Sequence, residues 1–160
     1  MADRDDGEKL ICKNRNAFRN FEIGERLEAG IVLVGSEVKS LRDGGGNLVD
    51  AYAALDPHRR GQRRELWLYG AHFAPYSHAA FPHEPVRARK LLVHRAQLLR
   101  LATKLNERGF TLVPIRMYFK KGRVKIELGL GKGKKFHDRR ADLKKRDVDR
   151  ELREIKRVRR

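Results

Sequence analysis

Apolar side chains fall on odd positions at Phe21, Ile23, Leu27, Ala29, Ile31 and Leu33, with only Glu25 interrupting. A period of two sends alternate residues to opposite faces of an extended chain, so this stretch predicts a strand with one face turned to a core. At Gly35 the pattern changes: Val38 and Leu41 stand three apart, the spacing of a short helix, and Gly44-Gly45-Gly46 stops it. Leu48 to Leu55 and Leu66 to Ala71 read as two further extended segments, divided by the turn-forming, cationic run Asp56-Pro57-His58-Arg59-Arg60-Gly61-Gln62-Arg63-Arg64. They predict a hairpin with a long basic loop. Pro75 to Pro85 carries three prolines and two histidines and shows no period, as an irregular surface loop would.

Leu98, Leu101, Ala102 and Leu105 then recur at helical spacing, and Gly109 stands where a left-handed C-terminal cap is expected. The strongest local signal follows. Val113, Ile115, Met117 and Phe119 alternate, Lys121-Gly122 makes a turn, and Val124, Ile126, Leu128 and Leu130 alternate again, which predicts a β-hairpin. Five or six antiparallel strands in so short a chain are best protected by closing on themselves, since closure removes exposed edges. The expected fold is therefore mainly β, an oligonucleotide-binding-type antiparallel barrel with short capping helices. Residues 1–8 are polar and expected to be disordered, 9–130 form the barrel body, and 131–160 form a separate basic tail. In that tail Val148, Leu152, Ile155 and Val158 make too narrow a stripe to fold alone. It is expected to be disordered when free and helical when docked.

Charge sharpens this picture. The chain of 160 residues carries a formal charge of +17, far beyond what solubility requires, and its last thirty residues hold 14 Lys or Arg against 6 Asp or Glu. Such an excess wants a polyanion, and nucleic acid is the commonest, because each neutralised phosphate releases condensed counterions. An anionic membrane is the rival, but no apolar run approaches the roughly 20 residues of a spanning helix, and no lipidation motif is present. The start Met-Ala-Asp-Arg-Asp-Asp has no apolar stretch behind it, so no secretory signal is expected. Cys12 is the only cysteine, so no internal disulfide can form, and it reads as a small apolar residue rather than a reactive thiol. A cytoplasmic location is expected.

Specific strings go further. Lys9-Leu-Ile-Cys-Lys-Asn-Arg-Asn-Ala-Phe-Arg19 is followed by Leu27-Glu28-Ala29-Gly30-Ile31-Val32-Leu33 and by Gly35-Ser36-Glu37-Val38-Lys39-Ser40-Leu41-Arg42. Then come Arg87-Ala88-Arg89-Lys90-Leu91-Leu92, Gly109-Phe110-Thr111-Leu112-Val113-Pro114, Tyr118-Phe119-Lys120 and Gly131-Lys132-Gly133-Lys134-Lys135-Phe136-His137-Asp138-Arg139-Arg140. In this order, over about residues 9 to 140, they closely resemble the bacterial small protein B family. Arg19-Asn20-Phe21 departs from the family's usual His-Asp-Tyr. The resemblance implies a barrel that grips the tRNA-like domain of transfer-messenger RNA. It also implies a tail that enters the decoding centre and vacant messenger channel of the small ribosomal subunit during trans-translation. Elongation factor Tu would be a partner only indirectly, through the charged RNA. The resemblance implies no cofactor and no catalysis by this chain, and a monomer is expected when it is free.

The same resemblance assigns residues. Asn14 matches a position facing the tRNA-like domain, where an amide can reach base edges and backbone; on the residues alone it is equally a helix N-cap. Glu28 matches an acidic position on that surface, and otherwise reads as a solvated strand carboxylate. Leu92 matches an apolar position able to pack on a splayed base, and by composition would be core. Arg87, Arg89 and Lys90, expected in a loop before the helix, suit phosphate and stacking contacts. Alternation against Val124, Ile126 and Leu128 turns Lys125 outward, where the family has an RNA contact. Lys132, Lys134 and Lys135, beside glycines, read as a cationic hinge. His137, Asp138, Arg139 and Arg140 match the tail segment for the decoding centre, and Val148, Leu152 and Ile155 would line the docked helix.

Other chemistry fares poorly. Gly131-Lys132-Gly133 lacks the ending of a phosphate-binding loop, His72, His78 and His83 match no metal spacing, and no serine sits in a nucleophile elbow. A general ribosomal barrel and an RNA-cleaving enzyme are the competing readings; the latter needs a convergent acid, base or metal cluster that is not visible.

Overall fold

The computed structural model describes residues 7–56 and 64–158. The elements follow as β1 (Lys9–Lys13), α1 (Ala17–Asn20), β2 (Phe21–Ile31), α2 (Gly35–Arg42), β3 (Gly46–Asn47), β4 (Tyr52–Leu55), β5 (Leu66–Tyr69), β6 (His72–Phe73), β7 (Arg89–Leu92), α3 (Arg95–Leu105), β8 (Phe110–Lys120), β9 (Arg123–Gly133) and α4 (Phe136–Val158). Most of the expected basic loop, Arg59 to Arg63, lies outside the described residues, as do residues 1–6 of the expected disordered start. Glu8, assigned to that start, instead pairs with Arg116 at 3.3 Å and Lys120 at 3.7 Å.

The expected β-hairpin is the longest feature of the sheet. β8 and β9 pair from Phe110↔Lys132 to Lys120↔Arg123, and the two turn residues Lys121 and Gly122 both take positive φ, 50° and 74°. That is the geometry whose twist matches the flanking strands. One register shift interrupts the pairing between Pro114 and Arg116, where a proline can sit inside a sheet because a bulge needs no ladder hydrogen bond there. Buried Asn14 braces this bulge: its Nδ2 donates to the Pro114 carbonyl at 3.0 Å and its backbone N–H to Ile115 at 2.7 Å.

From the hairpin the sheet continues through antiparallel neighbours. β9 pairs with β2, β2 with β7, β7 with β5, β5 with β4, and β4 returns to β8. The return is a single pair, Ala53↔Leu112, so the barrel is mainly antiparallel and oligonucleotide-binding-like but not strictly closed. β1 lies along the other half of β8's free edge. Leu66, Leu68, Phe73, Leu112, Met117, Ile126 and Leu128 fill the interior. Each such side chain taken from water contributes about 1.5–3 kcal/mol before entropic costs. Gly129 lies where β2 crosses closely: a Cβ there would meet Ile23 at 2.6 Å and Ile115 at 2.8 Å.

Several boundaries differ from expectation. β4 begins at Tyr52 rather than Leu48, because Val49 and Asp50 form a turn, Asp50 at φ 63°. α3 ends with Asn106 as its C-cap, so Gly109, at φ +84°, is not the cap but the corner leading into β8. β9 runs to Gly133, past the boundary expected at residue 130, because Glu22 and Phe21 of β2 still pair with Lys132 and Gly133.

Candidate nucleic-acid interface

Register brings three expected residues, Leu92, Lys125 and Glu28, together around Gly30. Gly30 of β2 is opposite Leu92 on β7 and opposite Lys125 on β9, so Leu92, Gly30 and Lys125 form a row across three strands. Glu28, two residues before Gly30, lies on the same face. Composition favoured core for Leu92, yet it is 51 % exposed. The absent side chain of Gly30 makes a notch, since a Cβ there would come within 3.3 Å of Leu92 Cβ. The resulting cleft also takes in Val38 of α2, His94 and Gln97 of α3, and Arg123 at the hairpin end.

The hairpin tip supplies the charge. Lys120, Lys121, Arg123 and Lys125 surround the single carboxylate of Glu28. Glu28 accepts a 2.5 Å hydrogen bond from the Tyr118 hydroxyl and another from Lys120 Nζ at 3.3 Å. The Tyr118 bond, with Lys120 and Lys125, holds this carboxyl below the usual glutamate range against the opposing pull of partial burial. The carboxylate is therefore ionised and already supported from the protein side, with 37 % of its side chain still open to solvent. An aliphatic patch, a notch and a carboxylate ringed by cations can together receive an unstacked base, a ribose hydroxyl and nearby phosphates.

Other expected contacts are placed differently. Arg89 is in β7, not a loop, and is 0 % exposed. Its guanidinium donates to Glu37 at 2.8 Å and to the carbonyls of Ala71, Arg87 and Pro85, each at 3.0 Å, and stacks on Phe73. No donor is left facing a phosphate, so the reading of Arg89 as an RNA contact is corrected: a buried guanidinium must have its partners inside the protein. Arg87 holds the other side of Glu37 at 2.6 Å but remains partly exposed. Burial pushes the Glu37 carboxyl up, and Arg87, the Val34 N–H and Arg89 together bring it below the ordinary range. Lys90, also in β7, pairs with Glu65 at 2.9 Å. Asn14 is buried, and its Oδ1 accepts the Asn16 N–H at 3.2 Å. With Nδ2 on Pro114 its amide braces the bulge, and Asn16, not Asn14, is the cap residue of α1.

The tail is a helix, α4. Lys132 is not in a hinge but in β9, with its ammonium over Phe110 at 5.9 Å. Lys134 is tied down as well: its N–H reaches Asn20, and its Nζ the Phe18 carbonyl and Asp142. These contacts fix the root of α4 against α1, while Lys135, Asp138, Arg139 and Arg140 are exposed beyond it. The side chains of His137 and Val158 lie outside the described residues. Leu143, Val148, Leu152 and Ile155 are all about half exposed, so the apolar stripe of α4 is largely open to solvent.

Gly30, Tyr118, Arg123 and the pair His94 and Gln97 were not singled out by sequence reading. An isolated glycine inside a strand does signal close approach, and Arg123 immediately follows the legible turn. Tyr118 stands in a quoted family string, but its role depends on Glu28, 90 residues away in the chain, which no local pattern reveals. Cys12 is half-buried, with its thiol pushed up to about 11 by desolvation, in keeping with an unreactive side chain. Among the described residues no cluster of metal-binding side chains occurs, and no helix is long and apolar enough to cross a membrane.

A small basic antiparallel barrel with a cationic, notched outer face and a helical basic tail defines the class of nucleic-acid-binding barrels. The family model described as SmpB protein matches residues 11–158, and the chain belongs to that family. Relatives include the SsrA-binding protein of Syntrophobacter fumaroxidans, 48 % identical over 95 % of this chain and 91 % of that one. That of Geobacter sulfurreducens is 50 % identical over 91 % and 92 %, and that of Nostoc punctiforme 49 % over 95 % and 96 %. A chain from a solved structure described as "tmRNA-SmpB: a journey to the center of the bacterial ribosome" superposes with a TM-score of 0.62 at 41 % identity, covering 78 % of this chain and 85 % of that one.

Proposed function

We propose that this chain binds the tRNA-like domain of transfer-messenger RNA, the SsrA RNA, and delivers it to stalled ribosomes for trans-translation. The observation that carries this reading is the Leu92–Gly30–Lys125 row with Glu28 and the cationic hairpin tip beside it. The names of its relatives point the same way. The body, near residues 9–130, holds the RNA through this face; Lys90 and Arg87 add charge at its margin, and Asn14 acts by bracing the β8 bulge. The tail, near residues 131–160, probes the decoding centre and empty messenger channel, with Lys135, His137, Asp138, Arg139 and Arg140 leading. Val148, Leu152 and Ile155 gain cover only on docking, so α4 draws most of its stability from the ribosome and is largely unfolded when the protein is free. The nascent peptide is then tagged for degradation and the ribosome released, with elongation factor Tu engaged only through the charged RNA. The chain acts in the cytoplasm as a monomer and does no catalysis itself.

A gel-shift competition at near-physiological salt tests the reading. Transfer-messenger RNA should displace a labelled tRNA-like domain far better than an unrelated tRNA does, and equal competition would refute it. Truncation after Gly133 should leave this preference intact and abolish peptide tagging on stalled ribosomes; loss of both together would refute the division between body and tail.

A further inference from the structure

We propose that the groove between α2 and the loop of residues 74–88 is a second RNA-binding surface, one that takes an unpaired nucleotide of RNA. It is distinct from the Leu92–Gly30–Lys125 row and rests on the reading of this chain as an RNA-binding protein. The groove is open, with a volume of about 610 Å³, within the roughly 300–1,000 Å³ typical of ligand clefts.

Its first qualification is aromatic surface held in water. Phe81 is 90 % exposed, and Tyr76 and His78 stand edge to face at 5.6 Å beside it. A large ring that packs against nothing in its own chain is available for stacking, and every nucleobase offers a face for it. The second is positive charge interleaved with the rings. Lys39 of α2 lies 5.7 Å from the Tyr76 centroid. Beneath it, Arg87 and Arg89 share the one carboxylate of Glu37. That pair keeps a surplus positive charge, and Arg87 is the member open to the groove. Glu84 is the carboxylate that also lines it. Rings alternating with cations suit stacked bases and their phosphates, whereas a protein partner of this groove would more naturally meet a continuous apolar patch.

The third is a rigid floor. His83 is buried, with Nδ1 hydrogen-bonded to Ser36 Oγ at 2.9 Å and Nε2 donating to the Phe73 carbonyl at 3.0 Å. Ser40 Oγ donates to the Ala74 carbonyl at 2.6 Å, and the Phe73 N–H to Pro85 at 2.9 Å. The loop is thus pinned at both ends although it has no regular structure, so ordering it costs little at binding. Finally, α2 borders both surfaces: Val38 lines the cleft of the Leu92–Gly30–Lys125 row and Lys39 lines this groove. An RNA held at the first can pass a single-stranded segment over α2 into the second.

The test uses the full chain and two RNAs: the folded tRNA-like domain, and a short unstructured adenosine-rich oligonucleotide carrying 2-aminopurine as a stacking reporter. Phe81→Ala should weaken oligonucleotide binding about tenfold and restore 2-aminopurine emission, and Phe81→Tyr should bind as the unaltered protein does. Lys39→Gln should lower the salt slope for the oligonucleotide by about 0.7. Neither should change affinity for the folded domain, whereas Lys125→Ala should weaken it. Unchanged oligonucleotide binding in Phe81→Ala would overturn the proposal, and would assign the groove to a protein if ribosome association fell instead. Equal loss for both RNAs would overturn the separation of the two surfaces. Failure of the unaltered protein to prefer the tRNA-like domain would refute the proposed function while leaving the oligonucleotide result to stand or fall by itself.

Discussion

Glu37 and Glu28 both sit among cations, one sealed beneath α2 and the other on the open face of β2. Glu37 is fully buried and gripped by Arg87 and Arg89, while Glu28 keeps more than a third of its side chain in solvent beside Lys120 and Lys125. The same residue types therefore do opposite work. In the first cluster the buried charges of Glu37 and Arg89 must be matched internally or the fold suffers, and only Arg87 reaches solvent; in the second, most of the positive charge faces outward and is available to a partner. Basic residues in a sequence do not reveal which of these they are.

The sharpest way to break this contrast is Arg89→Ala. Removing one partner of a buried ion pair leaves a carboxylate without adequate support, and urea denaturation should show a loss of about 3–5 kcal/mol. A loss below about 1 kcal/mol would mean that the two clusters are not different in kind. Next in size, Lys125→Ala should leave stability within about 0.5 kcal/mol and lower the slope of log affinity against log salt for the tRNA-like domain by about one contact.

Acid titration sharpens the comparison further. Both carboxyls lie below their ordinary value in the folded protein. Each therefore contributes stability that is fully present above the unfolded pKa, about 4.3, and is lost as the pH falls through the lower folded value. Glu37→Gln should flatten the fall in denaturation midpoint below about pH 4.3 more than Glu28→Gln does, because solvent screens the latter. The smallest effect is expected from Gly30→Ala. Filling the notch should weaken RNA binding several-fold while moving stability by no more than about 1 kcal/mol, since the added methyl comes no nearer than 3.3 Å to Leu92 Cβ and asks for only a small shift of the exposed end of β7.

The pattern of legibility follows the range of the interactions. The β8–β9 hairpin could be read because alternation and the Lys121-Gly122 turn are local properties. Lys125 could be oriented for the same reason. β3 and β6, two residues each, leave no periodic trace. Arg89 could not be recognised as buried, because its environment is made by Glu37, 52 residues earlier in the chain, and by carbonyls of an aperiodic loop. Leu92 misled composition for the complementary reason: it ends β7 facing outward, and only its pairing with Gly30 shows that there is nothing above it. The family strings point to one face of the barrel, but they do not separate residues exposed on that face, such as Leu92 and Lys125, from those that hold it in shape, such as Arg89.

The single bridge between Ala53 and Leu112 also bears on how the molecule breathes. A ring joined this lightly at one point will part along that line long before the β8–β9 pairing gives way, so amide hydrogens of β4 should exchange with deuterium by local opening while those of β9 wait for global unfolding. The seam lies away from the Leu92–Gly30–Lys125 row, which leaves that face stiff while the far wall yields.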